Sequence, residues 1–252
     1  MDWHYTRHIA HRCGGALAPE NTLAGIHLAA RLGFRSVEFD VMLSADGVPL
    51  LIHDETLERT TDGSGNVSET SLARLCELDA GAKHHPAFAG EQLATLAQAL
   101  TVCHDLGLSA NIEIKPAEGH EAETGAAVAL LAQQVLIAAR PGSATALLIS
   151  SFSELALNAA HEVAAKLPRA LLVEAIPPDW QARMQQLKCL ALHCAARHLH
   201  TAQAAEVAAA GFPLACYTVN QLEQATRLFA AGVTAIFTDR LDLFDPSNSG
   251  SH

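Results

Sequence analysis

RSVEFDVMLSADGVPLLIHD, which spans residues 35–54, is the stretch that decides the fold of this chain. Apolar residues alternate with Glu38 and Asp40, a pattern typical of a β-strand that carries both carboxylates on one face. Such a pair is often only the solvated outer face of a strand. Two like charges held side by side repel each other, however, and a cation bound between them relieves the repulsion. The pair therefore indicates either a solvated face or a cation site, and the other motifs of the chain distinguish the two.

A tight turn follows this strand. Asp46-Gly47 lies between two β-rich runs and is a strong hairpin signal. If the chain folds back there, residues whose numbers add up to about 91–93 face each other across the hairpin. His53 then comes next to Glu38 and Asp40, so that an imidazole and two carboxylates converge on one patch.

Composition limits the possible partners. The chain has 252 residues, half of them apolar, and a formal net charge of −11. This charge argues against a nucleic-acid surface and against electrostatic binding to an anionic membrane. We expect one domain over residues 1–252, no membrane span, and a monomer or homodimer. The six cysteines form no CxxC pair and the N-terminus lacks a signal-peptide pattern, so a reducing, cytoplasmic location is expected.

Eight short apolar runs alternate with helical patterns along the chain. Continuous apolar strands are typical of parallel sheets buried on both faces. Eight β-α units in about 250 residues match the number of units and the typical length of a (β/α)8 barrel. We therefore predict an α/β fold of the (β/α)8 TIM-barrel type, with the hairpin arm at 47–53 as an excursion. An open doubly wound sheet is the alternative, although its glycine-rich nucleotide fingerprint is missing. The predicted strands cover residues 7–11, 35–41, 109–115, 145–150, 169–173, 189–193, 213–219 and 234–238.

Residues 54–92 do not fit the alternation of strands and helices. The segment carries polar turns and only one short helical pattern, near 71–77. It is too long for an ordinary connection in a compact domain. We interpret it as a lid-like insertion after the hairpin, within the single domain.

Polar residues gather where the predicted strands end, and catalytic groups of such barrels lie at those ends. Glu38, Asp40 and Glu113 are carboxylates and form an oxygen-rich site that suits a divalent metal, Mg²⁺ or Ca²⁺. Zinc would prefer more imidazole or thiolate. The other polar residues at these ends are His11, Arg12, Lys115, His193, Tyr217, Asn220, Thr238 and Asp239.

Chemistry at phosphorus fits this set of side chains. His11 and His53 suit the roles of general acid and general base on opposite sides of a reacting centre. Arg12 and Lys115 would hold negative oxygens. Negative charge grows on the non-bridging oxygens during displacement at phosphorus, and a metal together with two cationic side chains stabilises that charge.

The same residues carry a resemblance to a known family. Essentially from end to end, the chain resembles the glycerophosphodiester phosphodiesterase family, with the closest likeness to cytosolic bacterial members associated with glycerol-phosphate uptake. The motifs that carry the resemblance are HR (11–12), PENT (19–22), EFD (38–40), DG (46–47), HD (53–54), LERTTDGSG (57–65), NIEIKP (111–116), YTVN (217–220) and TD (238–239).

The resemblance implies a TIM barrel and metal-dependent hydrolysis of a small glycerophosphodiester to sn-glycerol 3-phosphate and an alcohol, as part of lipid and glycerol metabolism. It also implies an acid–base pair, two phosphate contacts and three metal ligands. These roles fall on His11 with His53, on Arg12 with Lys115, and on Glu38, Asp40 and Glu113.

One position departs from the family pattern. The family usually reads His-Arg-Gly, whereas Cys13 stands in the place of the glycine. Glycine often marks a backbone position with positive φ or a close approach of a ligand. Either the loop tolerates a small side chain, which we favour, or Cys13 lies against the substrate.

Several roles stay open. His193 is either a core histidine or a substrate contact, and Tyr217 is expected to form an apolar wall for the glycerol or the leaving alcohol. Two alternative functions are a lyase or phospholipase D-like barrel enzyme acting on lipid phosphodiesters, and a catalytically silent glycerophosphodiester-binding protein, because a fold does not determine a function.

Overall fold

The computed structural model describes residues 6–138 and 146–246; residue 145, the predicted start of one strand, lies outside them. The strands are β1 (His8–Ala10), β2 (Ser36–Leu43), β3 (Pro49–Leu51), β4 (Ser109–Ile114), β5 (Leu147–Ser151), β6 (Arg169–Val173), β7 (Ala191–Ala195), β8 (Leu214–Tyr217) and β9 (Ala235–Thr238). The α-helices are α1 (Leu23–Arg31), α2 (Leu72–Leu75), α3 (Leu96–Leu106), α4 (Glu121–Ala138), α5 (Glu154–Val163), α6 (Trp180–Leu187), α7 (Thr201–Ala209) and α8 (Leu222–Ala230). Short 3-10 helices lie at Gly15–Leu17, Val67–Glu69, Pro86–Phe88 and Ala196–His198.

All described strands except β3 run parallel and close into a barrel. β1 pairs with β2 on one side and with β9 on the other, so the first strand seals the sheet. Almost every strand residue is buried, because one face of each strand fills the barrel and the other packs against the helices. The predicted (β/α)8 TIM barrel is confirmed, and the closure of the sheet rules out the open alternative.

The hairpin forms as the sequence predicts. β3 pairs with β2 in the antiparallel register expected from the turn position, and Gly47 adopts φ +74°, in the left-handed region that this turn needs. The backbone N–H of Ile52 donates to the carbonyl of Asp40 (3.1 Å). The hairpin arm thereby brings His53 to the end of β2 that carries the carboxylates.

The strand that carries His193 differs from the prediction. β7 begins at Ala191 rather than at residue 189, because Cys189 completes the end of α6. Lys188 is the C-cap with φ +52°, and the N–H of Cys189 donates to the carbonyl of Met184 (3.0 Å). His193 therefore lies in the middle of its strand rather than at the end, and its side chain is fully buried.

Residues 54–92 pack beside the hairpin with little regular structure. Leu57, Val67 and Leu75 are buried in one hydrophobic cluster with Leu50 and Ile52 of the hairpin arm. Apolar side chains thus anchor the segment to the hairpin, while its role as a lid stays a prediction.

α4 is the longest helix in the described part of the chain, with 18 residues. Neither α4 nor any other described helix has both the length and the hydropathy that crossing a membrane requires.

The buried His193 predicts a pH dependence of stability. Burial lowers the pKa of His193 from 6.5 to about 3, so the unfolded chain takes up a proton as the pH falls through 6.5 while the folded chain does not. The free energy of unfolding should therefore fall by about 2 kcal/mol through this residue between about pH 7 and about pH 5. Urea denaturation of metal-free wild type and His193→Gln at both pH values measures the difference. An equal loss of stability in both proteins would contradict the prediction.

Candidate active site

One cavity at the carboxyl end of the barrel strands, of about 210 Å³, collects the residues singled out from the sequence. It is lined by every residue to which a catalytic, metal-binding or substrate-binding role was assigned: His11, Arg12, Glu38, Asp40, His53, Glu113, Lys115, His193 and Tyr217. Asn111, Phe152, Leu172, Glu174, Thr218 and Phe237 complete its wall.

Three carboxylates form the centre of this cavity. Glu38 and Asp40 lie on β2 and point inward, and Asp40 faces Glu113 across the parallel pair β2–β4. One oxygen from each of the three lies within 4.8 Å of the others. This spacing brings the three predicted metal ligands together.

The electrostatics of this triad fit a bound cation. Burial, followed by the charge of Asp40, raises the pKa of Glu38 well above its usual value and that of Glu113 to about 8. Among the described residues nothing donates a hydrogen bond to the buried Oε1 of Glu38. A divalent cation would favour the ionised forms and complete the coordination of this oxygen, so the residues fit a hard divalent metal.

Backbone and amide groups fix the direction of the two β2 carboxylates. The backbone N–H of Arg12 donates to Glu38 Oε2 (2.9 Å). Asn21 forms two hydrogen bonds with Asp40: its Nδ2 donates to Asp40 Oδ2 (2.9 Å), and its Oδ1 accepts from the backbone N–H of Asp40 (3.0 Å). Thr22 is the N-cap of α1, and its side chain accepts from the N–H of Gly25. Asn21 instead orients Asp40, one of the three predicted metal ligands.

His11 is held by a carboxylate from the last strand. Its Nδ1 lies 2.6 Å from Oδ1 of Asp239, and Asn220 donates to the other oxygen of Asp239 (2.9 Å). Burial opposes ionisation of Asp239, yet the hydrogen bond and charge of His11, together with Asn220 and the charge of Arg12, outweigh it and lower the pKa of Asp239. Nε2 of His11 then points to the carboxylates and lies 3.9 Å from Glu38.

His53 has the same kind of support from a different element. Its Nδ1 lies 2.6 Å from Oδ1 of the adjacent Asp54. Hydrogen bonds from Arg59 are the main cause that lowers the pKa of Asp54, so this carboxylate stays ionised. Burial lowers the pKa of His53, although Asp40 and Asp54 partly oppose the shift. The site therefore holds two imidazoles, each oriented by a carboxylate.

Two cationic side chains face the triad. Arg12 Nη1 donates to Glu20 (3.0 Å), and its Nε lies 3.7 Å from Oδ2 of Asp40. Lys115 Nζ lies 3.7 Å from Oε1 of Glu113. These contacts place both positive charges beside the predicted metal ligands, where an anionic group that reaches the cavity would meet them.

His193 and Tyr217 line the same cavity in a less polar setting. The His193 ring packs edge-on against Phe237, with 5.1 Å between the ring centres. The hydroxyl of Tyr217 donates to the carbonyl of Val173 (2.8 Å), and the Tyr217 ring packs edge-on against Phe152. With its hydroxyl engaged in the wall, Tyr217 offers its ring, which suits the predicted apolar wall.

Cys13 does not line the cavity. It adopts φ +71°, so the backbone has the conformation for which glycine is favoured, but its side chain is fully buried in the hydrophobic core. Its Cβ packs at the backbone of Gly25 in α1. Burial raises the pKa of the Cys13 thiol well above its usual value, which makes it inert as a nucleophile. The loop thus accommodates the small side chain, as favoured above.

Sequence reasoning assigned no role to three residues that complete the site: Asp239, Glu20 and Arg59. Asp239 was noted only as a polar strand end, and the other two lie within the motifs PENT and LERTTDGSG. The motifs were the available signal. The contacts of Asp239 with His11 and of Arg59 with Glu20 join residues that are far apart in the chain, however, and no periodicity or spacing relates either pair.

The chain matches known proteins over almost its whole length. A sequence model of the glycerophosphoryl diester phosphodiesterase family matches residues 11–243. A glycerophosphodiester phosphodiesterase from Caldanaerobacter subterraneus subsp. tengcongensis is 32% identical over 234 residues, which is 92% of this chain and 93% of the relative. A glycerophosphodiester phosphodiesterase from Bacillus subtilis is 30% identical and covers 96% of this chain and 86% of its own.

Solved structures agree with these sequence matches. A phosphodiesterase from Oleispira antarctica, solved in complex with the product sn-glycerol-3-phosphate, has a TM-score of 0.90 and 39% identity, and the match covers 97% of this chain and 98% of that one. A glycerophosphodiester phosphodiesterase from Thermotoga maritima shares the fold, with a TM-score of 0.70 at 23% identity over 96% of this chain and 98% of that one. From the extent of the family match and the identity of its relatives, the chain belongs to the glycerophosphoryl diester phosphodiesterase family.

Proposed function

We propose that this chain hydrolyses glycerophosphodiesters with water to sn-glycerol 3-phosphate and an alcohol, with a divalent metal held by Glu38, Asp40 and Glu113. The observation that carries the proposal is the convergence, in one cavity, of this carboxylate triad with two imidazoles that carboxylates orient. A relative of 39% identity was solved with sn-glycerol-3-phosphate, which is the product that this reaction requires.

The two histidines would move the protons. Each imidazole binds a carboxylate through Nδ1. An ionised carboxylate only accepts hydrogen bonds, so Nδ1 carries a proton and Nε2 is the atom that exchanges one with the substrate. One imidazole takes a proton from the attacking oxygen, and the other gives a proton to the leaving alcohol.

Arg12 and Lys115 would bind the non-bridging phosphate oxygens. Both cations already lie beside the carboxylate triad. A metal at the triad would polarise the phosphoryl group and neutralise part of its charge. Arg12 and Lys115 stabilise the additional negative charge of the transition state, because charge-assisted hydrogen bonds are strong in a site with little water.

A wider groove of about 680 Å³ adjoins the cavity and shares His53, Glu113, Lys115 and Phe152 with it. We assign the glycerol moiety to the narrow cavity and the variable alcohol to the wide groove, since only the groove has room for alcohols of different size. Phe152, which lines both spaces and packs edge-on against Tyr217, provides an apolar surface for either part.

Two chemical routes lead to the same products. Water attacks phosphorus directly, or a neighbouring hydroxyl of the glycerol attacks first and forms a cyclic phosphate that water then opens. Phosphorus NMR during turnover separates them, because a cyclic glycerophosphate signal arises only on the second route.

Metal removal should abolish the activity. We expect EDTA to stop release of glycerol 3-phosphate from glycerophosphocholine and glycerophosphoethanolamine, and either Mg²⁺ or Ca²⁺ to restore it. Glu113→Gln should lower kcat/KM at least ~100-fold, since the phosphoryl group loses its metal. Glu123→Gln, an exposed carboxylate on α4, is the matched control and should keep full activity. Folded wild type that binds the diester without turnover in any metal would favour a silent binding protein instead.

Loss of either imidazole should remove the proton transfers. His11→Ala and His53→Ala should each lower kcat by about 10²–10⁴-fold with the fold intact by circular dichroism. His27→Ala, on the exposed side of α1, serves as the control. Full activity in both active-site variants would overturn the acid–base assignment.

A further inference from the structure

Arg59 lies outside the cavity, in the segment 54–92, and binds two carboxylates at once. Its Nη1 and Nη2 both donate to Glu20, each at 2.7 Å. Its Nε donates to Oδ2 of Asp54, and its Nη2 donates to Oδ1 of Asp54 (3.1 Å). Two edges of the planar guanidinium thus each bind one carboxylate, a geometry that the ammonium group of lysine cannot reproduce.

Each of these carboxylates leads directly to a residue of the proposed site. Asp54 binds Nδ1 of His53 (2.6 Å), and Glu20 binds Nη1 of Arg12 (3.0 Å). A continuous chain of hydrogen-bonded ions therefore runs from a phosphate contact through Arg59 to an acid–base histidine. Its two ends belong to different parts of the fold, the loop after β1 and the hairpin arm after β3.

The charges of this chain depend on Arg59. Hydrogen bonds from Arg59 are the first cause that lowers the pKa of Asp54. Burial raises the pKa of Glu20, but Arg59 and Arg12 outweigh it and lower the pKa below its usual value. Both carboxylates contact one guanidinium, so its removal would leave two negative charges facing each other. Each would then move away from the residue that it now orients.

We propose that Arg59 is a positioning residue that sets His53 and Arg12 relative to each other, through Asp54 and Glu20 respectively. The inference rests on the proposed function of that site. The inference also assigns a function to the segment 54–92, because this segment contributes Arg59, which aligns His53 and Arg12.

If Arg59 had a purely structural role, its replacement would have a different effect. If the residue only fastened the segment to the barrel, its loss would lower the melting temperature without acting on particular kinetic constants. Leu57 already anchors this stretch in a buried cluster with Leu50 and Ile52 of the hairpin arm, and Thr61 closes the turn around Arg59 by hydrogen bonds to the Leu57 carbonyl. Arg59 can therefore be replaced with the segment still packed.

Kinetic constants of single and double variants test the two arms separately. Asp54→Asn should lower kcat about 10- to 100-fold, because a misoriented imidazole transfers protons poorly. Glu20→Gln should raise KM, and the dissociation constant of sn-glycerol 3-phosphate measured by calorimetry, about tenfold, because Arg12 loses its anchor. Arg59→Met should produce both changes.

Coupling between the variants is the decisive measurement. Residues that act through one another are not additive, so Arg59→Met combined with Asp54→Asn should have the kcat of Arg59→Met alone within about twofold. Arg59→Lys keeps the charge but not the fork, and should recover only part of kcat and of the product affinity. Arg74→Met is the control, since Arg74 pairs with Glu77 on the exposed side of the same segment, and should match wild type.

The outcomes separate this inference from the proposed function. Active wild type with Arg59→Met equal to Arg74→Met, or with losses that multiply in the double variants, would overturn the positioning role and leave the function standing. Wild type without turnover of any glycerophosphodiester would overturn the function. The affinity for inorganic phosphate, compared between wild type, Glu20→Gln and Arg59→Met, would then still test the arm through Arg12, and unchanged affinity would overturn the inference.

Discussion

The mutual repulsion of three buried carboxylates is the constraint on which the rest of this structure depends. Glu38, Asp40 and Glu113 share a small space at the end of two neighbouring strands, and burial together with the charge of Asp40 raises the pKa of Glu38 and Glu113. Ionising such a group costs free energy unless opposite charge compensates it. The side chains of Arg12 and Lys115 supply part of that compensation, and the divalent cation that we propose at the triad would supply the rest. In the proposed function the same positive charges would bind the anionic phosphodiester.

A second layer of polar contacts holds the carboxylates and imidazoles of the cavity in place. Asn21 directs Asp40, while Asp239 and Asp54 each hold one imidazole through Nδ1. Carboxylates in this layer are themselves bound, by Asn220 and by Arg59. Groups that orient reactive side chains in this way commonly matter nearly as much as the reactive residues. The same layer explains how a barrel of mostly apolar strands supports so polar a centre.

The sequence predicted the fold and most of the cavity lining for identifiable reasons. Eight apolar runs indicated eight parallel strands, and the register of the hairpin followed from the turn at Gly47. Both are local properties, since they depend on neighbouring residues and on period. The strand of His193 was misplaced because the end of α6 at Cys189 looks as apolar as a strand start. Only the helix C-cap at Lys188 separates the two.

Long-range partners mark the limit of such reasoning. The sequence by itself determined that carboxylates, imidazoles and cations occur at strand ends. The identity of each side chain and the alternation of apolar and polar residues are local properties that can be read directly from the sequence. Tertiary structure alone decided that Asp239 holds His11 across 228 positions of chain, that Cys13 turns into the core, and that Arg59 reaches Glu20. These contacts arise when barrel closure brings the first strand between β2 and β9, and packing of the segment 54–92 carries Arg59 to the barrel mouth. No local pattern encodes either event, because the partners have no fixed spacing.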